Sequence, residues 1–126
     1  LKCWMFLFKD TDVSLRISSV IPSLLTIITM FFIGKEAKNI KLGILCAFIT
    51  SMNSFHIYFA QEVRLYSLLM LLCSLSLLFF LKLEKKQNAI NFISFFSINA
   101  LICALHTLGI IFAFFNIGSI ILFLYK

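Results

Sequence analysis

The sequence predicts an all-α fold, a polytopic bundle of about five transmembrane helices, from three observations. Of the 126 residues, 62% are hydrophobic and only 13% are charged. The mean hydropathy is +1.07, and the apolar residues form long runs that recur along the whole chain. A soluble domain of this size needs more polar groups to cover its surface. The chain is therefore predicted to be an integral membrane protein, with the lipid bilayer as a partner.

The individual helices are predicted from run length, since a helix needs about 20 mainly apolar residues to cross the hydrocarbon core. Within one domain, 1–126, the runs that meet this requirement are 13–33, 42–60, 65–83, 89–105 and 107–125. The second run has polar interruptions near its end. The fourth run is short and needs flanking residues that reach out to the interface. Only His106 and Thr107 mark the boundary between the last two runs, which predicts a tight helical hairpin.

The distribution of lysine predicts the orientation of the bundle. Seven of the eleven basic residues fall on one predicted side: Lys35, Lys38, Lys41, Lys82, Lys85, Lys86 and Lys126. The positive-inside rule places this side in the cytoplasm. The connection 61–64 and His106 then lie at the outer side. The net charge of +6 follows from this asymmetry, and no basic stripe with exposed aromatic residues indicates a nucleic-acid partner.

Two charged residues stand between the second and third runs, where charges are costly and usually have a partner or a task. Glu62 and Arg64 are two residues apart, so on a helix they point roughly 200° away from each other and do not simply pair. Arginine can bind a phosphate through a bidentate fork. Glutamate can accept a proton, bind a metal or hold a sugar hydroxyl. The alternative is an interfacial pair that reaches water and fixes the helix depth.

Small and polar residues recur toward the outer half of each later run. They are Ser51, Asn53, Ser54 and His56 in the second, Ser67 and Ser74 in the third, Asn99, Cys103 and His106 in the fourth, and Gly109 and Asn116 in the fifth. For the serine, asparagine, cysteine and glycine positions, helix packing with interhelical hydrogen bonds is the preferred interpretation. No metal site is predicted, because Cys103 and His106 alone are a weak signal. The acids Asp10 and Asp12 fit a helix cap.

The segment 54–69 resembles a recurrent element of bacterial multi-pass glycosyltransferases of the C-type fold. These enzymes are relatives of the protein O-mannosyltransferases and of the aminoarabinose transferases of lipid A. The element reads Gln-Glu-x-Arg-x-Tyr in this chain, from Gln61 to Tyr66. The segment 7–20 and His106 with the apolar helix after it resemble two further elements of the family. Ala60, Lys9 and Thr107 depart from the family pattern, which has serine, glycine and an aromatic residue there.

The resemblance implies a fragment of an integral membrane glycosyltransferase. Such an enzyme moves a hexosyl or pentosyl unit from a polyprenyl-phosphate donor to an envelope acceptor, at the outer face of the bacterial inner membrane. It implies substrate-binding roles for Glu62, Arg64 and His106, with no cofactor certain and a divalent metal left open. The family's catalytic aspartate belongs to a loop expected upstream of Leu1. The catalytic residue is therefore unknown, and the chain alone is expected to be inactive.

A second function class is a non-catalytic polytopic membrane protein, either a transporter subunit or a scaffold. Its polar stripes would line a substrate path or pack helices together. Transporters typically combine repeated halves with helices broken near the middle of the membrane. The sequence shows no internal repeat and predicts no broken helix, which favours the transferase.

Overall fold

The computed structural model describes residues 12–61, 65–86, 88–105 and 107–125, and these residues form six α-helices and no strand. The helices are α1 (Asp12–Ala37), α2 (Ile40–Met52), α3 (Ser54–Gln61), α4 (Tyr66–Lys85), α5 (Ala89–Leu105) and α6 (Thr107–Tyr125). The prediction of an all-α fold is confirmed.

The helices agree with the predicted runs except at the second one. Within the described residues, α1 and α4 are long and apolar enough to cross a membrane, and α5 and α6 are shorter apolar helices. The prediction of one unbroken span at 42–60 is wrong. The chain forms α2 and α3 there, and the two helices are bent by 59°. Counting this bent pair as one span gives up to three candidate spans among the described helices.

The hairpin of α1 and α2 is closed by two glycines at its crossing point. A Cβ added to Gly34 would lie 2.7 Å from the Cα of Gly43, and one added to Gly43 would lie 2.6 Å from the carbonyl oxygen of Phe31. Glycine at both positions lets the two backbones approach this closely. Asn39 then starts α2, because its side chain accepts a hydrogen bond of 2.9 Å from the backbone N–H of Leu42.

The carboxyl ends of α1 and α4 lie at the same end of the bundle. Lys85 Nζ is 3.3 Å from Glu36 Oε2. This end, here called the lysine end, carries Lys35, Lys38, Lys41, Lys82, Lys85 and Lys86. The contact agrees with the prediction that both lysine-bearing connections share one side. Since α4 has 20 residues and rises about 1.5 Å per residue, Tyr66 at its start lies at the opposite end.

The interior of the bundle is unusually polar, while large apolar side chains cover much of its outside. The buried polar residues are Ser19, Ser23, Thr26, Thr29, His56, Ser67, Ser74, Ser76 and Asn99. On the outside, Ile90 is 74% exposed and Phe114 is 75% exposed. A water-soluble bundle places its apolar side chains inside. Helices in lipid instead use small and polar residues at their interfaces and leave apolar ones outside.

The apolar part of the interior lies among α4, α5 and α6. Leu83, Phe95 and Ile120 form a buried cluster, and Phe79 and Phe80 pack against it. Further along the α5–α6 hairpin, Gly109 lies against Ile102, where an added Cβ would come within 2.6 Å of the Ile102 side chain. Apolar packing therefore holds the last two helices together, through the ring of Phe95 in one place and the close backbone approach at Gly109 in another.

Candidate functional site

The three predicted substrate-binding residues, Glu62, Arg64 and His106, lie outside the residues that the structure describes. The structure describes their neighbours. Helix α3 ends at Gln61, and α4 begins at Tyr66 after a turn at Leu65. Both flanks of the connection 62–64 belong to the half of the molecule opposite the lysine end. The described residues that flank the connection 62–64 belong to α3 and α4.

Asn53 creates the bend between α2 and α3. Its backbone is extended, with φ −71° and ψ 117°, and its N–H donates to the carbonyl of Thr50 at the end of α2. Its side-chain oxygen accepts from the N–H of Phe55 at 2.9 Å and, more weakly, from that of His56 at 3.4 Å. One residue thus closes α2 and caps α3, which is the usual role of asparagine at a helix start. The sequence shows Asn53 only as a polar residue, because its effect on the backbone depends on which N–H groups its side chain reaches in the fold.

The residue that α3 buries is a histidine. His56 is only 4% exposed, and its Nε2 lies 2.9 Å from the hydroxyl of Ser23 and 3.2 Å from the carbonyl oxygen of Ser23. Ser23 belongs to the middle of α1 and is itself buried. Ionisable groups at such depth are costly and commonly mark functional positions. The pair links the short helix α3 directly to the long helix α1.

The contacts of His56 indicate its tautomer. A carbonyl oxygen can only accept a hydrogen bond, so the tautomer with a proton on Nε2 is the one in which both Ser23 oxygens accept from the ring. A neutral ring with that proton has an unprotonated Nδ1. This atom is buried and has no hydrogen-bond partner among the described residues. Leaving a buried acceptor unmatched costs about 1–3 kcal/mol, so the position is energetically expensive.

Ser23 belongs to a stripe of hydroxyl side chains along α1 that the sequence analysis did not single out. Ser19, Ser23, Thr26 and Thr29 are all buried. Their spacing of four, three and three residues places them on one helical face. Thr26 and Thr29 each donate to a carbonyl one turn earlier, at 2.8 Å. The signal that could have found the stripe is this periodicity of hydroxyls in an otherwise apolar run.

A second feature of α3 is an apolar groove that His56 does not line. The groove has a volume of about 420 Å³ and is lined by Ser54, Phe55, Tyr58 and Phe59. The ring of Phe59 also lies 5.3 Å from that of Tyr66, centroid to centroid, across the connection to α4. A groove with three aromatic walls suits an apolar chain better than an ion. Helix α3 therefore presents a polar anchor to α1 and aromatic side chains to the groove.

Two of the other predicted polar stripes contain buried residues, whereas Ser51 and Ser54 of the second run are exposed. Ser67 and Ser74 are buried on α4. Asn99 is buried on α5, where its Nδ2 donates to the hydroxyl of Ser76 on α4 at 2.9 Å. Asn116 donates to a carbonyl of its own helix. The Asn99–Ser76 bond agrees with the packing interpretation, whereas the Asn116 bond lies within one helix and does not join two. Within the described ranges, no three histidine, cysteine, aspartate or glutamate side chains lie close enough together to hold a metal ion.

Comparison with known proteins adds no relative to this picture. No family model, no curated protein and no solved structure matches the chain. The site is therefore characterised by its own geometry. It contains a bent pair of helices, a buried histidine–serine contact and an aromatic groove, next to the Gln-Glu-x-Arg-x-Tyr segment.

Proposed function

We propose that this chain is part of a multi-pass membrane glycosyltransferase, in which five spans at 13–33, 42–60, 65–83, 89–105 and 107–125 surround the sugar-transfer site. The bent pair α2–α3 serves as the second of these spans. In this proposal the lysine end faces the cytoplasm and the connection 62–64 faces the outer side of the bacterial inner membrane. The observation that carries the proposal is the position of Gln61 and Tyr66, the described ends of the Gln-Glu-x-Arg-x-Tyr segment. Both lie opposite the lysine end. Gln61 ends the bent helix α3, and Tyr66 lies against Phe59, one of the aromatic residues that line the groove.

The reaction follows from the chemistry of a polyprenyl-phosphate sugar. A hydroxyl oxygen of the acceptor attacks the anomeric carbon, the bond from that carbon to the phosphate oxygen breaks, and the phosphate keeps the electron pair. The proton of the hydroxyl passes to a base, which is not assigned to a residue of this chain. The leaving phosphate gains negative charge, which a nearby cation stabilises. Arg64 supplies that cation, and Glu62 and His106 hold the sugar or its phosphate.

The test measures transfer in membranes that contain the full-length protein. Synthetic polyprenyl-phosphate hexoses and pentoses are added, and the release of free polyprenyl phosphate is followed by mass spectrometry. Arg64→Ala and Glu62→Gln should each reduce release about 100-fold, since each removes a group that acts on transition-state charge or orientation. Lys86→Gln, an exposed substitution at the lysine end, is the matched control and should leave release unchanged. Full activity in both site variants would remove these residues from the mechanism.

The proposed topology has its own test. Single-cysteine variants at Gln61 and Lys86 are placed in protein whose native cysteines are replaced by serine. Both positions are exposed in the structure. A membrane-impermeant maleimide added to intact cells should label position 61 and leave position 86 unlabelled until the cells are opened. Labelling of position 86 but not of position 61 in intact cells would show that the topology is the opposite of the proposed one, and sugar transfer at the outer face would be excluded.

A transporter subunit is the second candidate, because one observation favours it. The sequence predicted no broken helix, but the structure contains one, the 59° bend between α2 and α3. Broken helices near substrate paths are typical of transporters. Release of polyprenyl phosphate separates the two functions, since a transporter moves its substrate without cleaving it. Intact donor lipid together with accumulation of a labelled solute in proteoliposomes would favour the transporter.

A further inference from the structure

We propose that His56 is a positioning residue, which fixes the orientation of α3 on α1 through its Nε2–H and thereby fixes where the Gln61–Tyr66 segment begins. Three observations carry this inference: the burial pattern of α3, the geometry of the His56–Ser23 contact and the bend at Asn53. The importance of this role for substrate binding rests on the proposed function. The positioning itself can be tested without any activity.

Apart from His56, helix α3 packs against the rest of the molecule through residues that are at most half-buried, such as Phe59 and Ala60. Among its eight residues, all of which the structure describes, His56 alone is buried. Phe55 is 73% exposed and Tyr58 is 59% exposed. A short helix with most of its apolar side chains exposed can change its orientation at little cost, because few interdigitated contacts oppose the change. The anchor of α3 is instead a side chain whose hydrogen bonds are directional.

The contact between His56 and Ser23 has two parts that act together. The Ser23 carbonyl accepts from Nε2–H, and the Ser23 hydroxyl lies close to the same nitrogen. The carbonyl belongs to the rigid backbone of α1, so it defines a fixed point for the imidazole. Asn53 fixes the start of α3, since its side chain caps the first turn of that helix. Two fixed points, one at the hinge and one on the helix, determine the orientation of an eight-residue helix.

The orientation of α3 determines the position of its last residue. Gln61 is five residues beyond His56 on the same helix, which places it about 7.5 Å further along the axis. A rotation of α3 about its hinge therefore displaces Gln61, the first residue of the Gln-Glu-x-Arg-x-Tyr segment. His56 would act on the site through this displacement, without touching the substrate.

The first experiment measures the distance between spin labels at Ile28 on α1 and Gln61 on α3 in the full-length protein in proteoliposomes, with native cysteines replaced. Both positions are exposed. We expect one narrow distance distribution for the parent protein. His56→Phe keeps a ring but removes both hydrogen bonds, and it should broaden the distribution and shift its mean. His56→Gln retains an N–H donor and should restore much of the narrow distribution.

The matched control is Thr29→Val, which removes another buried hydroxyl from the same stripe of α1. The Thr29 hydroxyl bonds within its own helix, so this variant should leave the distance unchanged. Ser23→Ala keeps the backbone carbonyl and should give a smaller broadening than His56→Phe. A distribution in His56→Phe that equals that of the parent protein would overturn the proposal.

A second measurement covers the case in which His56→Phe fails to fold. Nitrogen-15 NMR of protein labelled in histidine reports which ring nitrogen carries the proton. The signals that His56→Gln removes are those of His56. We expect the proton of the neutral His56 ring to be on Nε2. A proton on Nδ1 alone would exclude donation to the Ser23 carbonyl and overturn the proposal. Neither measurement depends on sugar transfer, so the proposed function can fail while the positioning role stands.

Discussion

The two sides of the bundle interior are built differently. Around α1 and α3 the buried side chains are mainly hydroxyls and the imidazole of His56, whereas the cluster among α4, α5 and α6 contains Leu83, Phe95 and Ile120. Between helices in lipid there is no hydrophobic driving force, so hydrogen bonds and close packing must hold them. The first side buries mostly small polar side chains, with the His56–Ser23 contact between helices, and the second side buries mostly large apolar ones. The side that buries the small polar residues also contains the bend and Gln61, the first residue of the Gln-Glu-x-Arg-x-Tyr segment.

The largest expected effect concerns the apolar cluster among α4, α5 and α6. Phe95 has an exposed fraction of 0%, and Phe95→Ala should lower the free energy of unfolding by about 3–5 kcal/mol, because it removes a ring from a packed site and leaves a cavity. The measurement is equilibrium unfolding in mixed detergent micelles. Phe114→Ala on α6 is the control, since that ring is 75% exposed. Equal losses in the two variants would mean that the cluster does not hold these helices.

A smaller effect is expected at the glycine crossing of α1 and α2. A Cβ at Gly43 would meet the Phe31 carbonyl oxygen at 2.6 Å, so Gly43→Ala should cost about 1–3 kcal/mol through overpacking. Gly118→Ala is the matched control, because a Cβ there meets no described atom within 4 Å. It should be neutral or stabilise by up to about 1 kcal/mol through helix propensity. A stabilising Gly43→Ala would show that the hairpin tolerates a wider crossing.

The hydrogen bond between α4 and α5 is expected to contribute little to the free energy of unfolding, because apolar packing holds these helices. Asn99 and Ser76 form the hydrogen bond between α4 and α5. A double-mutant cycle with Asn99→Ala and Ser76→Ala should give a coupling of about 0.6 kcal/mol, since interhelical hydrogen bonds in membranes average near that value. A coupling above about 2 kcal/mol would make this bond, and not the aromatic cluster, the main link between α4 and α5.

The helices could be predicted from the sequence more fully than the site. Apolar run length predicted the bounds of α5 and α6, as well as a long helix around 65–83, because length and polarity act locally. The break at Asn53 depends on which amide groups its side chain reaches, and the run 42–60 contains no proline or mid-run glycine to indicate it. The His56–Ser23 contact joins residues from different helices. Hydropathy predicts where a helix begins and ends, but it does not predict which other helices that helix contacts.

A similarly small effect is expected for the ion pair that joins the two sides. Glu36 on α1 and Lys85 on α4 are 31% and 56% exposed, and an exposed ion pair contributes only about 0–1 kcal/mol. Lys85→Gln should therefore lower the free energy of unfolding by less than about 1 kcal/mol, and high salt should reduce the difference because it screens exposed charges. The contact matters more for geometry than for stability. Cysteines at positions 36 and 85, in protein without native cysteines, should be joined by a short bismaleimide cross-linker that spans the length of the two side chains, whereas cysteines at 36 and 61 should not. Cross-linking of the second pair in preference to the first would contradict the shared lysine end, and with it the separation of the two sides.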